Sequence, residues 1–192
     1  LGHEWWHSVD NYFGKEFGSG GFVTDGVKAD KLRAEMQAAF NTVKSATQAP
    51  PLRRRAAELD KRRSKPYWNT PLELSARAFE SYVIAKLQDQ GAANDYLANV
   101  IDEKVWNLTE EARATFFGGE NVETYPYPGQ AELPGVRAAF DEFFRTVQTR
   151  ADDAGNVAMF SRQPDASIAY RPSPRGVSME DSKGVRAQVM QA

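Results

Sequence analysis

Over residues 1–17 the apolar positions recur at helical spacing, with Trp5, Val9 and Tyr12 on one stripe and Trp6, Phe13 and Phe17 on the next. A period near 3.6 residues predicts a helix that is at least half buried. Residues 18–26 form a glycine-rich connection. A second helix is predicted over 27–46, with Leu32, Met36, Ala39, Phe40 and Val43 on its apolar face, stopped by Ala49-Pro50-Pro51. A basic helical run follows over 52–65 and a loop over 66–69. Thr70-Pro71-Leu72-Glu73 combines an N-cap residue, a first-turn proline and an acid three places on, and predicts a helix to about Gln90 with Gly91 just past its end. Shorter helices are predicted over 95–107 and 109–117, the latter ended by Gly118-Gly119. Residues 121–134, with Tyr125-Pro126-Tyr127-Pro128-Gly129, read as an extended loop. A further amphipathic helix over 135–149 carries Val136, Phe140, Phe143, Phe144 and Val147. With no strand alternation and no internal repeat, the fold class is mainly α. The predicted organisation is a helical domain over 1–150, a polar linker over 151–177, and a short helix over 178–192 that begins a further domain.

Composition narrows the chemistry. The 192 residues contain no Cys and two His, which excludes zinc fingers, iron–sulfur clusters, disulfide scaffolds and thiol catalysis. Lys plus Arg number 24 against 26 Asp plus Glu, a formal charge of −2, so no global field favours nucleic acid or an anionic membrane. No stretch reaches the roughly 20 apolar residues of a bilayer span, and no signal-peptide zones open the chain. A cytoplasmic or virion-associated location follows as the expectation. The chain opens on Leu1 with a motif at residue 3, which suggests a segment of a longer polypeptide.

Both histidines fall within five residues, in His3-Glu4-Trp5-Trp6-His7. On a helix, residues four apart lie roughly 5–6 Å apart on one face, so His3 and His7 can aim at one Zn²⁺. Glu4 projects about 100° round from His3, beside the metal, where it can act as a general base. A catalytic zinc needs a third protein ligand. In the longer motif with a third histidine, that residue would stand at Phe13 and a glycine at Asp10, so that class is excluded. The ligand must then be a carboxylate on another helix, with Glu73 and Glu80 as candidates. They share a face with Arg77, whereas Leu72, Ala76, Phe79 and Val83 form the packing face. Glu73 has an equally ordinary role as a capping-box acid paired with Arg77 at i+4.

The run from His3 to Gly14, together with Glu73, Ala76, Ala78 and Phe79, resembles the gluzincin zinc metallopeptidases of the anthrax lethal factor type. The resemblance spans roughly residues 1–17 and 66–84. It implies the helical portion of a zincin-like domain whose upstream β-sheet lies outside this segment, so the segment alone is expected to be inactive. It further implies Glu73 as the third zinc ligand, Glu80 remaining the alternate, and hydrolysis of a protein or peptide substrate by water activated by zinc and Glu4. Family members place a tyrosine that assists the oxyanion just ahead of this helix; Tyr67 stands about one residue from that place, where it also suits packing on Trp68. The acid that the family carries one turn after the third ligand is replaced by Arg77. That arginine is expected to pair with Glu80 or Asp10 unless the surroundings of the ligands are rebuilt. Asp10 itself is expected to be an exposed helix acid, or else to orient an imidazole. The same stretches also resemble the metallopeptidase-like large polyvalent protein-associated domain of phage and mobile-element proteins.

Two rival functions remain open. The run Arg53, Arg54, Arg55, Lys61, Arg62, Arg63 and Lys65 offers a weak nucleic-acid contact, although such runs are usually solvated helix faces. A scaffold that keeps its metal without catalysis is the other.

Overall fold

The computed structural model describes residues 1–151 and 157–161, and among these the chain is mainly helical. Its elements are α1 (Gly2–Phe17), α2 (Ala34–Thr47), α3 (Pro50–Asp60), α4 (Pro71–Asp89), α5 (Glu103–Phe117), α6 (Leu133–Thr146), β1 (Val147–Ala151) and β2 (Val157–Ser161). None of the described helices is long and apolar enough to cross a membrane.

The core forms where α1, α2, α4 and α6 turn their apolar stripes together: Trp6, Val9 and Phe13; Met36, Phe40 and Val43; Ala76, Ala78 and Phe79; Val136, Phe140 and Phe143. Aromatic rings dominate it. The Trp6 indole meets Phe140 and Phe143 edge-on and stacks with Phe79, arrangements that suit the ring quadrupole. Helix α4 runs through the middle, so it is buried on more sides than its predicted packing face: Leu74 is fully enclosed and Tyr82 nearly so, while Leu72 and Val83 are only half buried.

The α4 termini follow their local signals. Thr70 Oγ1 accepts the Glu73 amide at 3.4 Å. At the other end the Ala92 and Gly91 amides donate to the Leu87 and Gln88 carbonyls, both at 2.9 Å. Gly91 has φ +65°, which closes a Schellman turn.

Several boundaries differ from expectation. Helix α2 starts at Ala34 rather than 27. The stretch before it is a series of turns in which Leu32 is still buried, and Gln37 Nε2 donates to the Leu32 and Ala29 carbonyls. Pro50 and Pro51 open α3 instead of merely ending α2, because a first-turn residue needs no amide hydrogen. Helix α3 ends at Asp60, whose carboxylate accepts the amides of Tyr67, Trp68 and Asn69 at 2.8–2.9 Å. The basic run is thereby split between a helix and the turn after it. The two short helices predicted over 95–117 are one, α5. Asn94 Oδ1 takes the Tyr96 and Leu97 amides into a turn, and Asp102 caps the true start. The last predicted helix ends at Thr146. Beyond it β1 pairs antiparallel with β2, Thr149 facing Met159, so part of the predicted linker is a strand. The Tyr12 hydroxyl donates to the Met159 carbonyl at 3.2 Å and ties this hairpin to α1. The short helix predicted over 178–192 lies outside the described residues.

Candidate metal centre

Helices α1 and α4 pack face to face, bringing His3 and His7 onto the first turns of α4. The Nε2 atoms of the two rings are 3.1 Å apart. Glu73 Oε2 lies 3.3 Å from His3 Nε2, and Glu73 Oε1 lies 3.4 Å from His7 Nε2. Among the described residues these three form the one group of at least three His, Cys, Asp or Glu whose ligand atoms converge within 4.8 Å. Glu80 does not join them: its Oε2 sits 3.4 Å from the other nitrogen of His3, Nδ1. Glu4 is exposed on the turn between the histidines.

Glu73 can face the histidines because the capping box is only half formed. The Thr70 amide donates to the Tyr67 carbonyl instead of to Glu73, leaving the Glu73 carboxylate to turn inward. The Tyr67 hydroxyl also hydrogen-bonds Glu73, and its ring packs edge-on against Trp68, the packing role expected of this tyrosine. Burial raises the Tyr67 pKa, and the Glu73 charge adds to the shift.

A buried polar chain sets the register of the two helices. Trp6 Nε1 donates to Ser75 Oγ at 3.0 Å, and Ser75 Oγ lies 3.2 Å from Thr24 Oγ1. Both the amide and the hydroxyl of Thr24 donate to Asp10. Asp10 is therefore wholly buried, contrary to the expectation of an exposed helix acid, and burial raises its pKa against the opposing Thr24 bonds. It holds the 18–26 loop and not an imidazole: His7 Nδ1 is buried without a hydrogen-bond partner among the described residues.

Arg77 pairs with neither Glu80 nor Asp10. It is 2% exposed; its Nε donates to the Pro126 carbonyl at 3.1 Å, one terminal nitrogen donates to the Trp68 carbonyl, and the other lies 3.5 Å from Glu73 Oε2. The surroundings of the candidate ligand are thus rebuilt around a cation. Arg55, expected on the nucleic-acid-facing run, is buried as well. It donates to the Tyr125 carbonyl at 2.8 Å and the Tyr127 carbonyl at 3.1 Å, and pairs with Glu132. Three consecutive carbonyls of the Tyr-Pro-Tyr-Pro strap are thereby claimed by two arginines, while Pro126 and Pro128 carry no amide hydrogen to strand. The strap brings Tyr127 beside Glu80 and Arg77, where burial, with the Glu80 charge, raises its pKa. Neither the buried chain nor Tyr127 was singled out from sequence; the alternating prolines were the available sign of an extended segment. Of the remaining basic run, Lys61 pairs with Glu58, Arg62 pairs with Glu110, and Arg63 stands 5.0 Å over the Tyr67 ring.

The metal-free electrostatics predict a pH profile. Burial disfavours the charged form of His3, yet hydrogen bonds to Glu73 and Glu80 outweigh it and hold the imidazolium up to about 9. Burial likewise opposes charge on Glu73, but its bonds to His3, His7 and Tyr67 keep it well below the usual carboxylate range. A raised His3 pKa contributes stability that is fully present below about 6.5 and lost as pH rises through about 9; a lowered Glu73 pKa contributes stability present above about 4.5 and lost in acid. The melting temperature of metal-free protein is expected to fall between pH 6.5 and 9, and His3→Gln to flatten that decline. An equal slope in both proteins would contradict the assignment.

Residues 59–151 match the family model described as large polyvalent protein-associated domain 1. That segment is similar to this family over just under half of the chain. No curated protein and no solved structure matches the chain. The matched segment takes in Tyr67, Glu73, Arg77, Glu80 and the Tyr-Pro strap, but neither His3, Glu4 nor His7. The chemistry of the site rests on its side chains.

Proposed function

We propose that this chain holds a zinc ion through His3, His7 and Glu73, and that in the whole polyvalent protein the site serves zinc-dependent peptide-bond hydrolysis. The observation that carries the reading is the spacing of the three donors. Tetrahedral coordination with bonds of about 2.0–2.1 Å places neighbouring ligand atoms about 3.3 Å apart, and the separations here are 3.1, 3.3 and 3.4 Å. Among the described residues, Glu73 Oε2 is buried without a well-aligned hydrogen bond, which fits an oxygen that a cation would satisfy. Two imidazoles and one carboxylate are a zinc donor set that leaves a position open.

When bound, zinc would supply a Lewis acid for the peptide carbonyl and make water more acidic. Glu4, exposed beside the donors, takes the proton of the attacking water; as the C–N bond breaks it passes that proton to the leaving amine. Tyr67 holds Glu73 by donating its hydroxyl hydrogen to that carboxylate. Arg77 balances the charge of Glu73 from the buried side.

The expected result is one zinc per chain by elemental analysis, lost in His3→Ala and Glu73→Gln. Glu4→Gln in the full-length protein should retain zinc and lose cleavage. Absence of zinc from the native protein would sink the reading. Zinc retained with no cleavage by the full-length protein would leave a metal-binding scaffold instead.

A further inference from the structure

We infer that Glu80 is a positioning residue for His3, supplying from two turns along α4 the ring-orienting contact that Arg77 cannot make from one turn. The inference rests on the zinc reading above and concerns how this chain shapes its own ligand.

His3 lies between two carboxylates of one helix. Glu73 and Glu80 are seven residues apart, close to two full turns, so both project from the same face of α4. They reach opposite nitrogens of the same ring, with Glu73 3.3 Å from Nε2 and Glu80 3.4 Å from Nδ1. A neutral imidazole has one N–H and one lone pair. A carboxylate at Nδ1 draws the hydrogen to that atom and leaves the Nε2 lone pair directed at the point shared with His7 and Glu73. Metal-bound histidines generally donate their second nitrogen in this way, and removing the acceptor typically costs 10–100-fold in metal affinity.

The intervening residue shows why the contact comes from position 80. Arg77 is turned toward the carbonyls of Pro126 and Trp68, and as a cation it could not accept a hydrogen from His3 in any case. His7 offers the contrast, because its Nδ1 is buried and has no hydrogen-bond partner among the described residues. Orientation of the pair thus depends on His3, and His3 depends on Glu80.

Zinc affinity, measured by competition with a chromophoric chelator at pH 7.5, tests this in the native chain and in Glu80→Gln, Glu80→Asp and Glu73→Gln. Glu80→Gln is expected to bind zinc 10–100-fold more weakly than the native chain while its metal-free form keeps native circular dichroism. Glu80→Asp, which restores the charge on a shorter stem, should recover part of the affinity, and Glu73→Gln should lose far more than either. Native affinity within twofold in Glu80→Gln would overturn the inference and leave the zinc site standing. Should Glu80→Gln not fold, undiminished affinity in Glu80→Asp would overturn it equally. Zinc retained in Glu73→Gln but lost in Glu80→Gln would make Glu80 the ligand and refute the positioning role. A native chain that binds no zinc would bring down both readings.

Discussion

Replacing Arg77 by Met is expected to destabilise the fold by about 3–5 kcal/mol, read as a lower urea midpoint at unchanged slope. Methionine matches much of the arginine stem in volume, so the loss isolates the guanidinium. That group is almost completely enclosed and joins three segments: the Trp68 carbonyl before α4, Glu73 in its first turn, and the Pro126 carbonyl in the strap. Its removal leaves two carbonyls without their donors and a half-buried carboxylate without its permanent cation, and uncompensated buried charge accounts for the large cost. His3 can partly substitute, because its imidazolium persists up to about pH 9. The deficit should therefore widen at alkaline pH, where that charge disappears. A loss under about 1 kcal/mol, of the size seen for exposed ion pairs, would show that the guanidinium is not the keystone described.

A smaller but clear loss, about 1–3 kcal/mol, is expected from Gly14→Ala, although alanine is the better helix former by about 1 kcal/mol. A methyl group at this position would stand 2.2 Å from the Gly21 carbonyl oxygen and 2.9 Å from its carbon. These are backbone atoms, so no side-chain rotation relieves the contact, and the loop must move away from α1. The movement strains the Asn11 bond to the Gly21 carbonyl and the Gly20 bond to the Gly14 carbonyl. It also pulls on Thr24, whose amide and hydroxyl satisfy buried Asp10. Overpacking of this kind costs about 1–3 kcal/mol or somewhat more, and in a chain of this size about 2–4 °C of melting temperature accompanies each kcal/mol. A drop of roughly 5–10 °C by calorimetry is the expected result. A rise would mean that the loop is not held against this helix.

What could be read from the sequence depended on whether a residue's role is set by its neighbours in the chain or by its neighbours in space. The caps of α4 are local chemistry, and Thr70 and Gly91 act as their positions predict. The pairing of His3 with His7 is also local, because helical spacing alone puts both rings on one face. The third member, Glu73, depends on which helix packs against α1, and periodicity left it level with Glu80 until the family resemblance favoured it. Asp10, Arg55 and Arg77 were harder still. A buried charge has no periodic signature, since it replaces an apolar residue only where a distant backbone group happens to satisfy it. The prolines at 50 and 51 were ambiguous for another reason, since proline suits a helix's first turn as well as it ends the preceding one.

The strap across the centre has a consequence for how the domain is bounded. The matched segment starts at residue 59, yet the carbonyls of Tyr125 and Tyr127 inside it are held by Arg55, four residues before that start. The indole against which Phe79 and Phe140 pack is that of Trp6, further back still. The matched segment and the packed core therefore have different edges. The helices before residue 59 supply the Arg55 and Trp6 side chains that the matched segment, α4 to β1, packs against.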